Sequence, residues 1–575
     1  MADITYDVVI IDGSLGGVSA ALSAGLHGAS VCLLESTNWL GGQFTAQGVT
    51  KPDENRFIES VGSTHSYRAF RDAVRSYYLN NYRLSADGLR QPEFNPGGGY
   101  PGFSMEPLVG HKILDQLLQA EPNVHVRYGT KLTDVVMNGN AIQSITAADD
   151  TGPNRYFATY FLDGTDLGDL LYRCGSQGTD WVIGAESQND TKEADAPPSA
   201  HAEWIQPITV PIAIEHRPNG EDHTITAPAE YAELKKEQKY RVADGSITTV
   251  FGAGDNLWNY RSVILSSNFA DPEFPCDVTM INMEGNDYQA ATIPTGDSDK
   301  DDAIVRRAGQ ASLGFLYWLQ TECQREDDPT KKGYPEFKLR LDYFNTPDGT
   351  AAQPYIRESR RIKALKTIFE EELTTGGPRA ALFGDSCGIG CYGAMDIHPC
   401  PGVGTPYHWI PAQPFQIPLG ALVPVRLVNL LPACKNIGST HLTNGVYRLH
   451  PCEWNIGEAA GALAAFCLKG ALAPADVYGT PTLLRQFQHL LLDAGVPLYW
   501  WSDIAYGSPE FEALHLLGIH GYASGYDDMS FRPNTPFTAQ DRADFDAAVG
   551  QPLPWPSDIS LRGQAAQWMA NYLEL

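Results

Sequence analysis

The chain lacks the features that mark several classes of protein. No run of Lys and Arg offsets the net charge of −28, which argues against a nucleic-acid partner. No apolar run reaches membrane-spanning length, because Arg426 interrupts the longest candidate, around residues 419–431. The ten cysteines contain no C-x-x-C pair. Free buried thiols are therefore expected, and no metal site is predicted.

Length and composition indicate a globular protein of enzyme size. The chain has 575 residues, of which 43% are hydrophobic and 10% aromatic, enough for two or more domains. A predicted core strand begins within a few residues of Met1, so a signal peptide is not expected. The expected compartment is the cytoplasm.

A strand, a glycine turn and a helix are predicted over residues 6–24, and a second strand over 31–34 ends at the acid Glu35. This order suits a dinucleotide. The helix N-terminus offers N–H groups and a positive dipole end to a diphosphate, and the acid accepts hydrogen bonds from ribose hydroxyls.

The glycine motif itself is incomplete. Aligned with G-x-G-x-x-G, it keeps only Gly17, because Asp12 and Ser14 replace the first two glycines. Asp tolerates a left-handed turn better than most residues do, and the Ser14 hydroxyl offers a donor to a phosphate. A carboxylate near a diphosphate is unfavourable unless it points away or is hydrogen-bonded, so weakened nucleotide affinity is predicted.

Regular structure resumes after a loop-rich stretch that ends in several glycines. A helix is predicted over 106–120 and a strand over 124–128. A β-meander follows over 133–137, 141–147 and 156–162, with Asn138-Gly139 as its hairpin turn. The last of these strands leads into a second glycine-acid turn, which begins at Asp163.

Three separated segments together resemble the FAD-dependent oxidoreductases of the glutathione-reductase-like fold. The resemblance is closest to the branch that includes the succinate dehydrogenase and fumarate reductase flavoproteins. It is carried by residues 7–35 with 40–45, by residues 161–170, and by residues 429–451 with 457–461. One glycine motif alone is weak, whereas three parts in the family's order are specific.

The resemblance implies FAD as the cofactor, with its contacts in these segments. A helix that begins near Gly457, with Asn455 and Glu458 as a capping box, is expected to aim its N-terminus at the flavin pyrimidine edge. The predicted FAD-binding residues are Asp12, Gly13, Ser14, Leu15, Gly16, Gly17, Glu35, Ser36, Gly41, Gly42, Gln43, Phe44, Thr45, Asp163, Gly164, Asp166, Gly438, Asn444, Gly445 and Gly457.

The fold class that follows is α/β. A Rossmann-like FAD-binding domain, made of a parallel sheet and a β-meander, is expected to carry a large inserted α+β substrate domain and a C-terminal helical extension. The predicted FAD-binding parts are residues 1–50, 106–173 and 415–470, separated by a loop-rich segment (51–105) and the substrate domain (174–414), and followed by the extension (471–575).

Five residues are candidates for catalysis. His441, Tyr447 and Arg448 lie in the third segment, and His441 is the preferred proton acceptor because an imidazole titrates near neutral pH. His398 alternates with Asp396 as on a strand, and Arg361 opens a helix-like stretch over 358–373. A structural hydrogen bond for His398 and a salt bridge for Arg361 remain equally open.

The expected function is removal of hydride from an alcohol or amine carbon of a polar small molecule, with a sugar-like molecule as one candidate. Oxygen, a quinone or a protein is left open as the electron acceptor, and so is a homo-oligomer. An NAD(P)H-using flavin monooxygenase or reductase is one alternative. A non-catalytic scaffold that no longer binds FAD is another. The C-terminal residues 521–538 look like an S-layer homology repeat, but are interpreted as part of a helical hairpin packed on the flavoprotein.

Overall fold

A five-stranded parallel sheet forms the centre of the molecule. The structure is a computed structural model and describes residues 1–99, 102–218, 220–243 and 247–575. The strands, from one edge of the sheet to the other, are Leu430–Pro432, Tyr160–Asp163, Val8–Ile11, Val31–Leu34 and Val124–Arg127. All neighbours are parallel, so their carboxyl ends meet at one edge, where α/β proteins bind ligands. The predicted fold class is confirmed.

Two helices from opposite ends of the chain cross on this sheet. The first, Leu15–Leu26, follows the glycine turn, and the second, His450–Gly470, is almost entirely buried. A Cβ added to Gly457 would lie 2.0 Å from the carbonyl oxygen of Gly16, and one added to Gly461 would lie 2.2 Å from that of Ala20. The crossing therefore requires glycine at both positions of the second helix.

The β-meander is confirmed with one correction. Strands Lys131–Asn138, Ala141–Asp149 and Gly152–Phe157 pair antiparallel, and Gly139 adopts φ +61° in the hairpin. The third predicted strand, 156–162, is wrong as a single element. The chain leaves the meander after Phe157 and enters the central sheet at Tyr160, where the partner is Val8. Sequence alternation cannot mark such a change of sheet.

The inserted region contains its own antiparallel sheet. Its strands lie in the order Ser262–Ile264, Val278–Ile281, Ile212–His216 and Phe337–Leu339. The same region contains a long helix, Ser298–Thr321. The helix expected over 358–373 is wrong, because only Glu370–Leu373 is helical and Arg361–Ile362 is a strand paired with Trp181–Val182.

The C-terminal region is mostly helical, as predicted. Residues 521–538 form the connection between two of its helices rather than a strand or helix of their own. The helices of this region are Pro474–Gly479, Pro481–Asp493, Phe511–Ile519, Ala539–Val549 and Arg562–Tyr572. Within the described parts of the chain, none of the helices is both long enough and apolar enough to cross a bilayer.

The remaining elements connect these layers. The predicted domain boundaries stay predictions; strand Phe415–Pro418 pairs with Ser386–Gly390 across the boundary at residue 414. The other helices are His65–Asn81, Pro107–Ala120, Asp169–Cys174, Gln188–Thr191, Tyr231–Gln238, Leu257–Tyr260 and His441–Tyr447, and the other strands are Asp3–Thr5, Ala394–Ile397 and His408–Pro411.

The helix crossing yields a stability prediction. Gly461→Ala places a methyl group against the Ala20 backbone, which cannot move away without shifting the first helix, so we expect a loss of roughly 3 kcal/mol in the free energy of unfolding. Gly479→Ala is the matched control, since a Cβ there meets nothing within 4 Å. Urea denaturation measures both variants. Equal stability of the two would contradict the packing argument.

A buried carboxyl on the same helix yields a pH prediction. Burial raises the pKa of Glu458 from 4.5 to about 7, although its side chain accepts a hydrogen bond from the Ser66 hydroxyl. The folded state holds this proton more tightly than the unfolded state does. The free energy of unfolding therefore falls as the pH rises from 4.5 to about 7. Glu458→Gln should therefore gain stability over the parent between pH 5 and 7, reaching about 3 kcal/mol above pH 7.

Urea denaturation at a series of pH values measures this difference. Glu233→Gln, at an exposed helical position, is the control and should show no such trend. A difference between Glu458→Gln and the parent that is independent of pH would refute the assignment.

Candidate functional site

The first glycine turn joins the central strand to the first helix. Asp12 has φ +73°, which confirms that it takes a left-handed conformation usually given to glycine. Ser14 caps the helix, and its Oγ accepts from the Gly17 N–H at 3.2 Å. A Cβ on Gly16 would lie 1.8 Å from the carbonyl oxygen of Ala433, and one on Gly17 would lie 2.2 Å from that of Asp12. Close approach of backbone to backbone therefore requires both glycines.

Two carboxyl groups lie side by side at the end of the second strand. Glu35 accepts from the Gly13 N–H at 2.8 Å and from the Thr37 N–H at 2.6 Å. Asp12 accepts from the Ser36 hydroxyl at 3.2 Å, so it is hydrogen-bonded as a site for a diphosphate requires. Burial raises the pKa of both carboxyls, and the charge of Glu35 raises that of Asp12 further. Both carboxyls are therefore easier to protonate than exposed ones.

A cavity of about 250 Å³ opens beside this pair, and we call it the adenosine-side cavity. It lies at the carboxyl edge of the central sheet, where the ribose of FAD was predicted. Its lining includes Asp12, Ser36, Thr130, Thr165, Asp169 and Arg173.

The second glycine-acid turn braces the first. Asp163 is fully buried and accepts from the Thr165 N–H at 3.0 Å and the Leu171 N–H at 2.9 Å, while its burial raises its pKa to about 6. A Cβ on Gly164 would lie 2.6 Å from the Asp12 carbonyl oxygen. Asp163 thus fixes the second turn from within, and Gly164 lets that turn approach the first one.

Residues 41–45 lie against the first turn. Gly41 has φ +102° and donates its N–H to the Gly13 carbonyl at 2.7 Å, and a Cβ on Gly42 would lie 3.1 Å from the Ser14 Cα. Phe44 stacks on His450 with 5.0 Å between ring centroids, and the Thr45 hydroxyl donates to the Leu40 carbonyl. This packing places the loop next to the turn.

The third segment contributes packing positions and one orphaned amide. A Cβ on Gly438 would lie 2.4 Å from Ala364 Cβ, and one on Gly445 would lie 2.7 Å from the Asp396 nitrogen, so Gly445 lets the strand that carries Asp396 approach. Asn444 Oδ1 is buried without a hydrogen-bond partner among the described residues. Gln43 Oε1 is likewise buried without a hydrogen-bond partner in the described part of the chain. Both atoms belong to residues predicted to contact FAD, and a polar ligand at this point would satisfy them.

The predicted helix start at Gly457 is wrong. The helix begins at His450 with Pro451 in its first turn, where a missing N–H costs nothing. Asn455 lies inside the helix and accepts from the Ile389 N–H at 3.0 Å instead of capping. Gly457 is therefore a crossing residue and does not present a helix N-terminus to the flavin.

A buried charge cluster fills the space in front of the first helix. Glu453, fully buried, accepts from the Gly16 N–H at 3.2 Å and from the Gln43 side-chain amide. Lys435 lies 3.4 Å from Glu453 and also pairs with Asp166, which accepts from Gln47 at 2.5 Å. Burial opposes the charge of Lys435, but Asp166, Glu453 and the neighbouring Cys434 outweigh it and raise the pKa of the ammonium group.

Sequence reasoning selected Asp166 and Gln43 in this cluster but missed Lys435, Glu453 and Gln47. One signal was present, since Lys435 lies three residues after the end of the buried strand Leu430–Pro432, at the edge where ligands bind. Glu453 carries no comparable signal, because its contact with Gly16 joins positions 437 residues apart.

A second cluster joins two of the predicted catalytic residues. His441 Nδ1 lies 2.9 Å from the Glu358 carboxylate, and Arg361 bonds to the same carboxylate at 2.6 Å and to Glu186 at 2.7 Å. Arg361 also donates to the Ser439 carbonyl at 3.0 Å, which holds it in extended backbone. The salt-bridge interpretation of Arg361 is therefore the one that the structure shows.

A cavity of about 350 Å³ contains the other two charged candidates, and we call it the substrate-side cavity. His398 lies 2.8 Å from Asp287 and 3.5 Å from Asp396, as strand alternation predicted for the second pair. Arg448 donates to Asp396 at 2.9 Å. The lining includes Arg261, Arg357, Asp396, His398, Trp409 and Arg448.

The acids around His398 set its charge. Burial and Arg357 oppose protonation, but Asp396 and Asp287 outweigh them and raise the pKa of His398 to about 9. The imidazole is therefore a cation at neutral pH. Gln206 links this cavity to the His441 cluster, since its Oε1 accepts from the His398 N–H at 3.0 Å and its own N–H reaches Glu358 at 3.4 Å.

Tyr447 does not line this cavity. Its ring is fully buried against Phe415, with 4.5 Å between centroids, and its hydroxyl donates to the Gln416 carbonyl at 2.7 Å. These contacts give Tyr447 a packing role in the core.

Comparisons with solved structures give distant similarities only. The L-proline dehydrogenase of P. horikoshii is 14% identical, with a TM-score of 0.18, over 33% of this chain and 26% of its own. The p-nitrophenol 4-monooxygenase PnpA of Pseudomonas putida DLL-E4 is 12% identical, with a TM-score of 0.29, over 64% and 71%. A geranylgeranyl bacteriochlorophyll reductase-like protein of Thermoplasma acidophilum is 10% identical, with a TM-score of 0.35, over 96% and 98%.

The chain thus spans about a quarter of the first of these proteins. No curated protein matched the chain. The model of one family, described as FAD dependent oxidoreductase, matches residues 7–491 of the 575. This range includes the three segments, the central sheet and both cavities. The chain therefore belongs to the FAD dependent oxidoreductase family.

Proposed function

We propose that the chain oxidises an alcohol or amine carbon of a polar small molecule held in the substrate-side cavity. One observation supports this most. The Gln43 side-chain amide donates to the Arg448 backbone carbonyl at 3.1 Å, while Arg448 itself lines the cavity. The cavity therefore adjoins the loop predicted to contact the flavin, as hydride transfer requires.

The residues present fit FAD at both ends. The adenosine-side cavity would take the adenosine, and the buried unpartnered oxygens of Gln43 and Asn444 would receive hydrogen bonds from the flavin end. FAD, when bound, supplies the acceptor for the substrate hydride.

The lining of the substrate-side cavity suits an oxygen-rich molecule. Three arginines, Arg261, Arg357 and Arg448, meet the cationic His398 there, and the Nε atoms of Arg261 and Arg448 are buried without a partner among the described residues. Guanidinium groups bind carboxylate or hydroxyl oxygens, and an aromatic wall such as Trp409 packs on sugar rings. A hydroxy acid or sugar-like substrate fits this chemistry.

We assign proton removal to His441, which lies outside the lining of the substrate-side cavity and is linked to it through Glu358 and Gln206. Its Nδ1–H donates to Glu358, which leaves Nε2 as the basic nitrogen and fixes the ring. His398, being a cation, cannot take a proton and would instead orient the substrate and polarise its oxygen. The same proposal includes oxygen, a quinone or a protein as the electron acceptor. It also includes a location in the cytoplasm and assembly as a homo-oligomer.

The two histidines predict different kinetic defects. In FAD-loaded protein screened with alcohols, amines, hydroxy acids and sugars under a dye acceptor, His441→Gln should lower kcat by about a hundredfold or more with little change in KM. His398→Gln should mainly raise KM. In the parent, KM should rise as pH passes about 9, and this rise should vanish in His398→Gln.

His520→Gln, on the exposed end of a C-terminal helix, is the control and should behave as the parent. The assignment fails if both active-site variants keep the parent's kcat and KM. Flavin reduction by NADPH that is faster than by any substrate of the panel would instead favour the monooxygenase alternative.

A further inference from the structure

We propose that Glu453 occupies the diphosphate position of the FAD site and must leave it for FAD to bind. The inference rests on FAD binding as set out under the proposed function. It concerns a residue of this chain and not the chemistry of the bound cofactor.

Two N–H groups at the start of the first helix already have partners. The first turn of a dinucleotide-binding helix presents its free N–H groups to the diphosphate. In this chain the Gly17 N–H is taken by Ser14 Oγ at 3.2 Å, and the Gly16 N–H by Glu453 Oε1 at 3.2 Å. A diphosphate can therefore bind Gly16 only after the carboxylate moves.

Glu453 also excludes a diphosphate by its volume and charge. It has no solvent exposure and contacts both Gly16 at the start of the first helix and the side-chain amide of Gln43, two residues predicted to bind FAD. A carboxylate and a diphosphate repel each other strongly at such distances in a buried place. The two cannot share the helix N-terminus.

The charge of Lys435 would stay compensated after Glu453 moves away. Lys435 pairs with both Glu453 and Asp166, so it keeps one carboxylate partner when Glu453 moves away. Its second contact then becomes available to a phosphate oxygen. The ammonium group of Lys435 thus pairs with Glu453 in this structure, and it would bind a phosphate oxygen after Glu453 moves away.

The test compares three probes on four proteins. Adenosine, ADP and FAD are titrated by calorimetry and by thermal shift into the parent, Glu453→Ala, Glu453→Gln and Glu458→Gln. Glu458→Gln is the matched control, because it removes another buried carboxyl from the same helix, one that bonds to Ser66 instead of Gly16. Circular dichroism establishes that each variant is folded.

We expect both Glu453 variants to bind ADP and FAD at least about tenfold more tightly than the parent, because a like charge is removed from the diphosphate position. Adenosine, which has no phosphate, should bind all four proteins alike. Glu453→Gln keeps the volume of the parent residue and one acceptor oxygen for the Gly16 N–H, although its NH2 group cannot accept from Gln43 or Lys435. It therefore reports on charge even where Glu453→Ala fails to fold.

The outcomes separate this inference from the proposed function. If the parent binds FAD as tightly as both Glu453 variants do, Glu453 is not an obstacle, and the inference alone is overturned. A gain that is equally large for adenosine would overturn it as well. If no protein of the set binds FAD, the proposed function and the inference both fall, and the scaffold alternative is favoured.

Discussion

The contact between the two crossing helices is the constraint on which the rest of the site depends. Gly16 packs on Ala433 and Gly457 so closely that no side chain fits between them. This contact joins the beginning of the chain to residues more than 400 positions later, across the whole inserted region. It places the first turn, the end of strand Leu430–Pro432 and the first turn of the helix His450–Gly470 around one point.

Charge is arranged around that point in three buried groups. Asp12 and Glu35 lie side by side with raised pKa values at the adenosine end, and Lys435 balances Asp166 and Glu453 in the middle. At the far end, His398 carries a proton between Asp287 and Asp396. Buried charges of this kind persist only where partners compensate for lost hydration. The site is thus organised electrostatically along its whole length.

Several residues predicted to bind the cofactor contribute mainly to this organisation. The Asp163 carboxylate accepts hydrogen bonds from the N–H groups of Thr165 and Leu171. Gly445 allows the strand that carries Asp396 to approach. Such positions shape the site without facing it. A family motif records both kinds of residue, because losing either one disrupts the site, so a motif match by itself does not separate contact from support.

The central sheet, the two glycine turns and most of the meander were predictable from local patterns, such as the apolar strands that are followed by Asp12, Glu35 and Asp163. The family was predictable from three such segments in the right order. The start of the helix that contains Gly457, the strand at Arg361 and the contact of Glu453 with Gly16 emerged only in the folded molecule. These three depend on partners far away in the chain, whose free energy of packing outweighs local preference.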